Sequence, residues 1–263
     1  MLFRSINSNR WNADFKCVSD GDCNVSDECV GGFCVTPFME EGEFIAKAEF
    51  TQGNYRAWVR AELTAECGAI RNERKSERCL EGVDAGVEAR FEQMISREHC
   101  KYLNDDDTPE SVLFLNDDAP MVCLSRDEAT RICASFGGRL PAREDYDYLF
   151  DDRSFSCDNT VMFGIDEFHG YAKKLKAREI AKLTYGPGCG TGKFRRVCDK
   201  ARAGNTSDGL CDVFGNVSEW ASDAGAMGGS FMSTEAMMRD DYDWGGARPW
   251  IGFRCIVPAG AVD

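Results

Sequence analysis

Fourteen of the 263 residues are cysteine, and this number constrains the fold more than any other feature of the sequence. Thiolate metal sites usually contain C-x-x-C pairs with histidines nearby. The chain has no C-x-x-C pair and only two histidines, His99 and His169. An even number of cysteines without metal-ligand spacing favours disulfides over a metal site. Disulfides in turn indicate an oxidising compartment outside the cytosol.

Charge and composition exclude several classes of protein. The chain has 31 basic and 45 acidic residues, so its net charge is −14. Nucleic-acid-binding proteins normally carry a basic surface, and an anionic membrane would repel this chain. No apolar run approaches the roughly 18 residues of a transmembrane helix. We therefore expect no nucleic-acid partner and no membrane span.

The sequence divides into three regions. Residues 1–16 have no apolar leader segment, so we expect a tail that either begins a mature domain or has lost its true start together with any signal peptide. Residues 17–37 are rich in glycine and acidic residues and have no helical or strand periodicity. They contain four closely spaced cysteines and predict a small disulfide-rich module: Cys17, Cys23, Cys29 and Cys34. Residues 38–263 have the composition of a globular domain.

Helical periodicity is clear in the first half of the larger region. One helix is expected after Thr51, a candidate N-cap, and a second after Gly82. A third begins at a capping box formed by Ser125 and Glu128, and a fourth follows Pro141. The apolar positions of the first two helices are Tyr55, Trp58, Val59, Val83, Val87, Phe91, Met94 and Ile95. Short β-like segments follow in the glycine-rich second half, so the expected class is α+β.

Four sets of residues stand out in the larger region. They are, in order, Phe44–Thr51 (FIAKAEFT), Ala129–Leu149 (ATRICASFGGRLPAREDYDYL), Asp212–Trp220 (DVFGNVSEW), and Gly228–Phe231 with Gly252–Cys255 (GGSF and GFRC). In order and content they resemble the formylglycine-generating enzyme family, also called the sulfatase-modifying-factor family. The resemblance implies a C-type-lectin-like α+β fold for residues 38–263. The family's first strand, ahead of FIAK, is expected to be absent and replaced by the cysteine-rich module.

The resemblance also implies a disulfide. The family joins the cysteine of the helix before its R-L-P pattern to the cysteine of the closing G-F-R-C pattern. In this sequence those positions are Cys133 and Cys255. Cys100 with Cys123 is a second expected bridge, and the other pairings stay open.

A calcium site is a further expectation from the resemblance. The family's G-N-V-W-E-W turn holds calcium through a side-chain oxygen, two main-chain carbonyls and a glutamate. The matching positions are Asp212, Gly215, Val217 and Glu219. Because Ca²⁺ prefers six to eight oxygen ligands, this donor set is chemically reasonable. The alternative is that Glu219 and Asn216 only tie the turn by hydrogen bonds, and Ser218 replaces the family's tryptophan.

Oxidase activity is not expected. The family's catalyst uses two cysteines, five residues apart, that follow a G-G-S-x-M pattern and hold copper. Ser233 and Met238 stand at these positions. A soft thiolate is what coordinates Cu(I) and acts as the nucleophile. We therefore expect no copper, no catalytic residue of the family's kind and no formylglycine generation.

Two classes of function remain. The favoured one is a secreted or periplasmic, non-catalytic recognition or structural module that binds a protein, peptide or glycan through the segment 232–250. Its candidate ligand-binding residues are Ser230, Ser233, Arg239, Tyr242, Trp244 and Arg248. Alternatively, Trp244 and Trp250 anchor that segment to the core. The rival class is a divergent enzyme of the superfamily that acts on a peptide or small molecule.

Overall fold

The computed structural model describes residues 28–30, 33–37, 42–98, 100, 115–150, 196–198, 210–231, 233, 241 and 246–258. The helices in these ranges are α1 (Gln52–Gly68), α2 (Glu73–Glu81), α3 (Val83–Ile95), α4 (Arg126–Ser135) and α5 (Arg143–Phe150). The strands are β1 (Glu28–Val30), β2 (Phe33–Pro37), β3 (Glu43–Ala46), β4 (Ser218–Trp220), β5 (Ala226–Met227), β6 (Ile251–Gly252) and β7 (Ile256–Pro258). The predicted α+β class is confirmed. Among the described helices, none combines the length and apolarity that crossing a membrane requires.

The strands form two small sheets. The first has the order β1-β2-β3-β7 and is antiparallel throughout, with Ile45 of β3 opposite Ile256 of β7. The second has the order β5-β4-β6, and its β4–β6 pair is parallel, with Glu219 opposite Gly252. The segment that joins β6 to β7 therefore runs from one sheet to the other. This segment consists of Phe253, Arg254 and Cys255 of the closing GFRC sequence.

The structure corrects one expectation for the N-terminal region. A hairpin of β1 and β2 places Cys29 opposite Cys34, and β2 pairs with β3 through Thr36 and Ile45. A strand therefore does precede the FIAK sequence. Strands of three and five residues are too short for a clear alternation of apolar and polar residues in the sequence. Their pairing in the sheet is what identifies them as strands. The boundary between residues 37 and 38 remains a prediction, and Cys17 and Cys23 lie outside the described residues.

The predicted helix starts are confirmed. Thr51 accepts a hydrogen bond from the backbone N–H of Asn54 and forms a capping box with it. Ser125 and Glu128 form the second capping box, at the start of α4. The apolar residues predicted for the second helix are all buried in α3, which packs against α1. Local capping chemistry and helical periodicity thus determine these elements directly.

Helix α2 was not predicted. Its sequence, ERKSERCLE, has no apolar stripe, and none of its residues is buried. A disulfide between Cys67 at the end of α1 and Cys79 in α2 attaches the helix to the domain. A hydrogen bond of 2.9 Å from the hydroxyl of Ser76 to the carbonyl of Cys67 adds to this link. Because a helix of nine residues is marginal in water by itself, we expect the covalent link to contribute much to its position.

Two further disulfides involve pairs expected from the sequence. Cys133 of α4 is bonded to Cys255, with an S–S distance of 2.03 Å and a sequence separation of 122 residues. Cys100 is bonded to Cys123. The bond to Cys255 fixes α4 against the segment between β6 and β7, beside the two sheets.

Candidate functional site

The side chain of Arg254 is fully buried where three of the family-like segments meet. Its Nε donates a hydrogen bond of 2.6 Å to Oε2 of Glu219, and its Nη2 donates to Oε1. The remaining donors reach the carbonyls of Ala46, at 3.1 Å, and Cys211, at 2.8 Å. One guanidinium therefore connects β4 to the end of β3 and to residues 210–217, which we call the motif loop.

Tyr146 of α5 completes this arrangement. Its hydroxyl donates a hydrogen bond of 2.8 Å to Oε2 of Glu219. Burial, and then the negative charge of Glu219, raise the pKa of Tyr146 well above its usual range. Burial opposes the charge on Arg254, but Glu219 raises the pKa of the guanidinium. Arg254, Glu219 and Tyr146, which we call the Arg254 cluster, are therefore a charged donor, a charged acceptor and a neutral donor.

Glu49 supports the motif loop from the other side. One carboxyl oxygen of Glu49 accepts a hydrogen bond of 2.7 Å from Nδ2 of Asn216. The other accepts a hydrogen bond of 3.1 Å from the backbone N–H of Val217. The side chain is buried. Burial, and then the charges of Asp212 and Glu219, raise the pKa of Glu49 well above its usual range. Several acidic groups thus share a small buried volume with Arg254.

The motif loop has an uncommon backbone. Asp212 and Asn216 have φ angles of 53° and 57°, in the left-handed region that non-glycine residues seldom adopt. The backbone N–H of Gly215 donates to the carbonyl of Gly228 at 2.8 Å, which joins the loop to the GGSF turn. A Cβ at Gly228 would lie 2.5 Å from the carbonyl oxygen of Val213. Such conformations persist only where surrounding contacts stabilise them. Here the hydrogen bond between Gly215 and Gly228 stabilises both the motif loop and the GGSF turn.

Asp212 is held by a neighbouring disulfide. Its Oδ2 accepts a hydrogen bond of 2.7 Å from the backbone N–H of Cys198. Cys198 is bonded to Cys211, the residue before Asp212. This pairing was not predicted, because cysteine positions alone leave connectivity open. The disulfide keeps Cys198 beside the motif loop.

The residues expected to bind calcium are buried in one loop and strand, but Glu219 does not fit a calcium ligand in this arrangement. Both of its oxygens bind Arg254, so a divalent cation at the same carboxylate would lie beside a buried positive charge. Asp212 already accepts a hydrogen bond from Cys198. Gly215 and Val217 lie in the same loop. In the described part of the chain, no group of three or more acidic, histidine or cysteine side chains is arranged around a possible metal position.

Ser230 and Ser233 lie together in the turn that follows β5. Both are buried. The backbone N–H of Ser230 donates to Oγ of Ser233 at 2.8 Å, and the two hydroxyl oxygens are 3.4 Å apart. The hydroxyl at the position of the family's first cysteine therefore closes a local turn.

The candidate binding segment 232–250 is attached to the domain through Asp241 and through residues 248–250. The carboxylate of Asp241 accepts a hydrogen bond of 2.6 Å from the backbone N–H of Gly225 and lies 3.4 Å from Arg143. The carbonyl of Arg248 accepts a hydrogen bond of 3.0 Å from the backbone N–H of Cys123, and Trp250 packs against the core. For Trp250, the anchoring alternative is thus the observed one. Three of the candidate ligand-binding residues lie outside the described residues: Arg239, Tyr242 and Trp244.

Three residues of the site were not singled out from the sequence: Glu49, Tyr146 and Arg254. Each lies inside a segment that carried the family resemblance. A charged residue within the otherwise apolar GFRC–IV stretch is itself a signal, because a buried guanidinium needs a paired acceptor. Which acidic residue provides the acceptor depends on the parallel pairing of β4 with β6, which sequence periodicity does not reveal.

A comparison with models of protein families identifies the domain that contains these residues. The model of the sulfatase-modifying factor enzyme 1-like domain matches residues 39–259. This range contains the motif loop, the Arg254 cluster and the Ser230–Ser233 turn. A comparison with curated proteins finds no match. Because the family model covers most of the chain, the protein belongs to the sulfatase-modifying-factor (formylglycine-generating enzyme) family.

Proposed function

We propose that the chain is a non-catalytic recognition or structural module of this family, with a C-type-lectin-like fold, in the extracellular space or periplasm. The observation that carries the proposal is the bond between Ser230 and Ser233. The hydroxyl of Ser233 is buried and accepts the N–H of Ser230 at 2.8 Å. A serine hydroxyl engaged in this way is not the soft ligand that Cu(I) requires.

The position of the family's second cysteine also supports a non-catalytic role. Met238 stands where the family's second cysteine is expected. A thioether is a weak acceptor that cannot ionise to a thiolate, so it does not supply an activated sulfur nucleophile. The rival class, a divergent enzyme, would need exposed polar groups, whereas Ser230 and Ser233 bond to each other and the guanidinium of Arg248 donates to the carbonyl of Ala247.

Attachment of the segment 232–250 supports recognition. Its middle is tied down through Asp241, and its end through Arg248 and Trp250. A segment held at several points loses less conformational entropy when it binds a partner. In the sequence, Tyr242 and Trp244 are aromatic residues flanked by acidic and basic residues. This chemistry suits a protein, peptide or glycan ligand.

The disulfides support the proposed location. Four are present among the described residues: Cys67–Cys79, Cys100–Cys123, Cys133–Cys255 and Cys198–Cys211. Structural disulfides form and persist in oxidising compartments and are rare in the cytosol.

Two measurements test the proposal. The first incubates the full chain with copper and a sulfatase-type peptide containing C-x-P-x-R, followed by mass spectrometry, and we expect no formylglycine. The second compares wild type with Tyr242→Ala and Trp244→Ala on glycan and protein arrays. The control variant is Tyr148→Ala, an exposed tyrosine on α5 outside the segment.

Loss of a captured ligand in the two segment variants, with binding kept by Tyr148→Ala, would support recognition through the segment. Equal binding by all variants would remove the segment from the proposal. Turnover of the peptide would overturn the non-catalytic assignment.

A further inference from the structure

A cavity of about 460 Å³ lies between α1 and α3. It is lined by Tyr55, Arg90, Gln93, Met94 and Arg97. None of these residues belongs to the Arg254 cluster, the motif loop or the segment 232–250. The volume is within the range of small-molecule sites, which is roughly 300–1,000 Å³. The cavity is therefore separate from positions 233 and 238, where the family's catalytic cysteines are expected.

The cavity has an apolar floor and a polar rim. Met94 and Tyr55 are 2% and 8% exposed and belong to the hydrophobic core. Arg90 and Gln93 are three residues apart on α3, so they lie on one face of the helix. Arg97 follows two residues after the end of α3 at Ile95. Among the described residues, the polar groups of the lining are two guanidinium groups, one amide and one phenol.

Arg97 is fixed in place but keeps donors to offer. It donates two hydrogen bonds to Glu128 and one, of 3.1 Å, to the carbonyl of Cys123. A guanidinium has five N–H donors. Two of them therefore have no acceptor among the described residues. Because Glu128 and Cys123 hold the side chain, its orientation is set before any ligand arrives.

Arg90 is held more loosely. Its guanidinium lies 3.6 Å from a carboxylate oxygen of Glu62 and 3.4 Å from one of Glu66, and all three side chains are partly exposed. Exposed ion pairs at such distances contribute little free energy. A ligand can therefore replace Glu62 and Glu66 as the partner of Arg90 with only a small loss of free energy.

We propose that this cavity binds a small organic acid, with its single oxyanion between Arg90 and Arg97 and its apolar body on Tyr55 and Met94. Guanidinium groups bind planar carboxylates through paired hydrogen bonds. Glu62, Glu66 and Glu128 surround the two arginines. The three carboxylates outnumber the two guanidinium groups, so every negative charge on a ligand meets repulsion as well as attraction. A monoanion meets less of this repulsion than a dianion, so a monoanion is the class that we propose. This site is independent of the proposed recognition function.

Isothermal titration calorimetry on the full chain tests the site with benzoate as the probe. We expect saturable binding of benzoate, with weaker binding of acetate, which lacks the apolar body, of benzyl alcohol, which lacks the charge, and of the dianion phenyl phosphate. Arg90→Gln should weaken benzoate binding about tenfold or more, as expected for a charged hydrogen bond. The matched control is Arg60→Gln. Arg60 is 39% exposed and Arg90 is 38% exposed, and both pair with acidic residues across α1 and α3, but Arg60 does not line the cavity.

Absence of saturable benzoate binding would overturn the proposal. It would also be overturned if benzyl alcohol or phenyl phosphate bound as tightly as benzoate, or if Arg60→Gln weakened binding as much as Arg90→Gln. Should Arg90→Gln fail to fold, the methyl resonance of Met94 in the wild-type protein provides the second readout. We expect this resonance to shift with benzoate at saturating concentrations, and an unchanged resonance would place benzoate elsewhere and reject the site.

Discussion

Arg254 and Glu219 form a buried ion pair with two hydrogen bonds, and their side chains are 0% and 1% exposed. Removing two charges from water costs several kcal/mol, and the hydrogen bonds recover this cost only when the geometry is good. Tyr146 and the carbonyls of Ala46 and Cys211 satisfy the groups that the pair leaves over. The pair therefore specifies how β4, β3 and the closing segment fit together.

Arg254→Met should destabilise the fold strongly, because the carboxylate of Glu219 would remain buried without its cation. We expect the free energy of unfolding to fall by about 3–5 kcal/mol, as measured by guanidinium chloride denaturation. The control is Arg60→Gln, which breaks an exposed pair with Asp84 and should cost at most about 1 kcal/mol. A loss for Arg254→Met no larger than that of the control would contradict the buried pair.

The stability of the protein should depend on the protonation of Glu49. The pKa of this group in the folded protein is raised well above its ordinary value of 4.5. Its contribution to stability is therefore fully present below pH 4.5 and is lost as pH rises through the folded-state pKa. Glu49→Gln is neutral at every pH and does not experience this loss.

Denaturation across a pH series measures this effect. Above pH 4.5, the stability of wild type minus that of Glu49→Gln should decrease by up to about 1.4 kcal/mol per pH unit, and it should become constant above the folded-state pKa. A difference that does not change with pH would show that Glu49 has the same pKa in the folded and unfolded chains.

Calcium should have little effect on stability while Arg254 binds both oxygens of Glu219. A ligand that binds only the folded state at 100 times its dissociation constant adds about 2.7 kcal/mol and raises the melting temperature. We expect the melting temperature after EDTA treatment to be unchanged when millimolar calcium is added. A calcium-dependent rise that disappears in Asp212→Ala would instead support the ligand set implied by the family resemblance.

Two disulfides should differ in their contribution to stability. Cys133–Cys255 spans 122 residues and Cys67–Cys79 spans 12. On the chain-entropy model, replacing the first pair by alanine should cost about 5 kcal/mol and the second about 3 kcal/mol. Chemical denaturation of the two double-alanine variants measures this order, and a larger cost for the short loop would contradict it.

Hydrogen exchange distinguishes the local role of the shorter disulfide. Because α2 has no buried residue, we expect its position to depend mainly on the disulfide of Cys79. In Cys67→Ala/Cys79→Ala the amides of Glu73–Glu81 should exchange much faster than in wild type, while those of α3 should keep their protection. Unchanged protection in α2 would show that surface contacts alone maintain the helix.

Local chemistry in the sequence determined the helices with caps or apolar stripes. The capping residues Thr51 and Ser125 predicted the starts of α1 and α4, and apolar spacing predicted α3. These signals involve residues within four positions of each other, so they act before the chain is folded. For the opposite reason α2 was missed, since its sequence has no apolar stripe and its anchor is a disulfide to another helix.

The candidate site shows the same division. By itself, the sequence determined the family, the α+β class and the absence of cysteine at positions 233 and 238. Only the tertiary structure decided that Glu219, a candidate calcium ligand, binds Arg254, and that Cys198 pairs with Cys211. The partners of a buried charge or thiol come from distant parts of the chain. Because burial makes an unpaired charge costly, pairing is enforced by the folded environment, and the order of residues along the chain does not identify the partner.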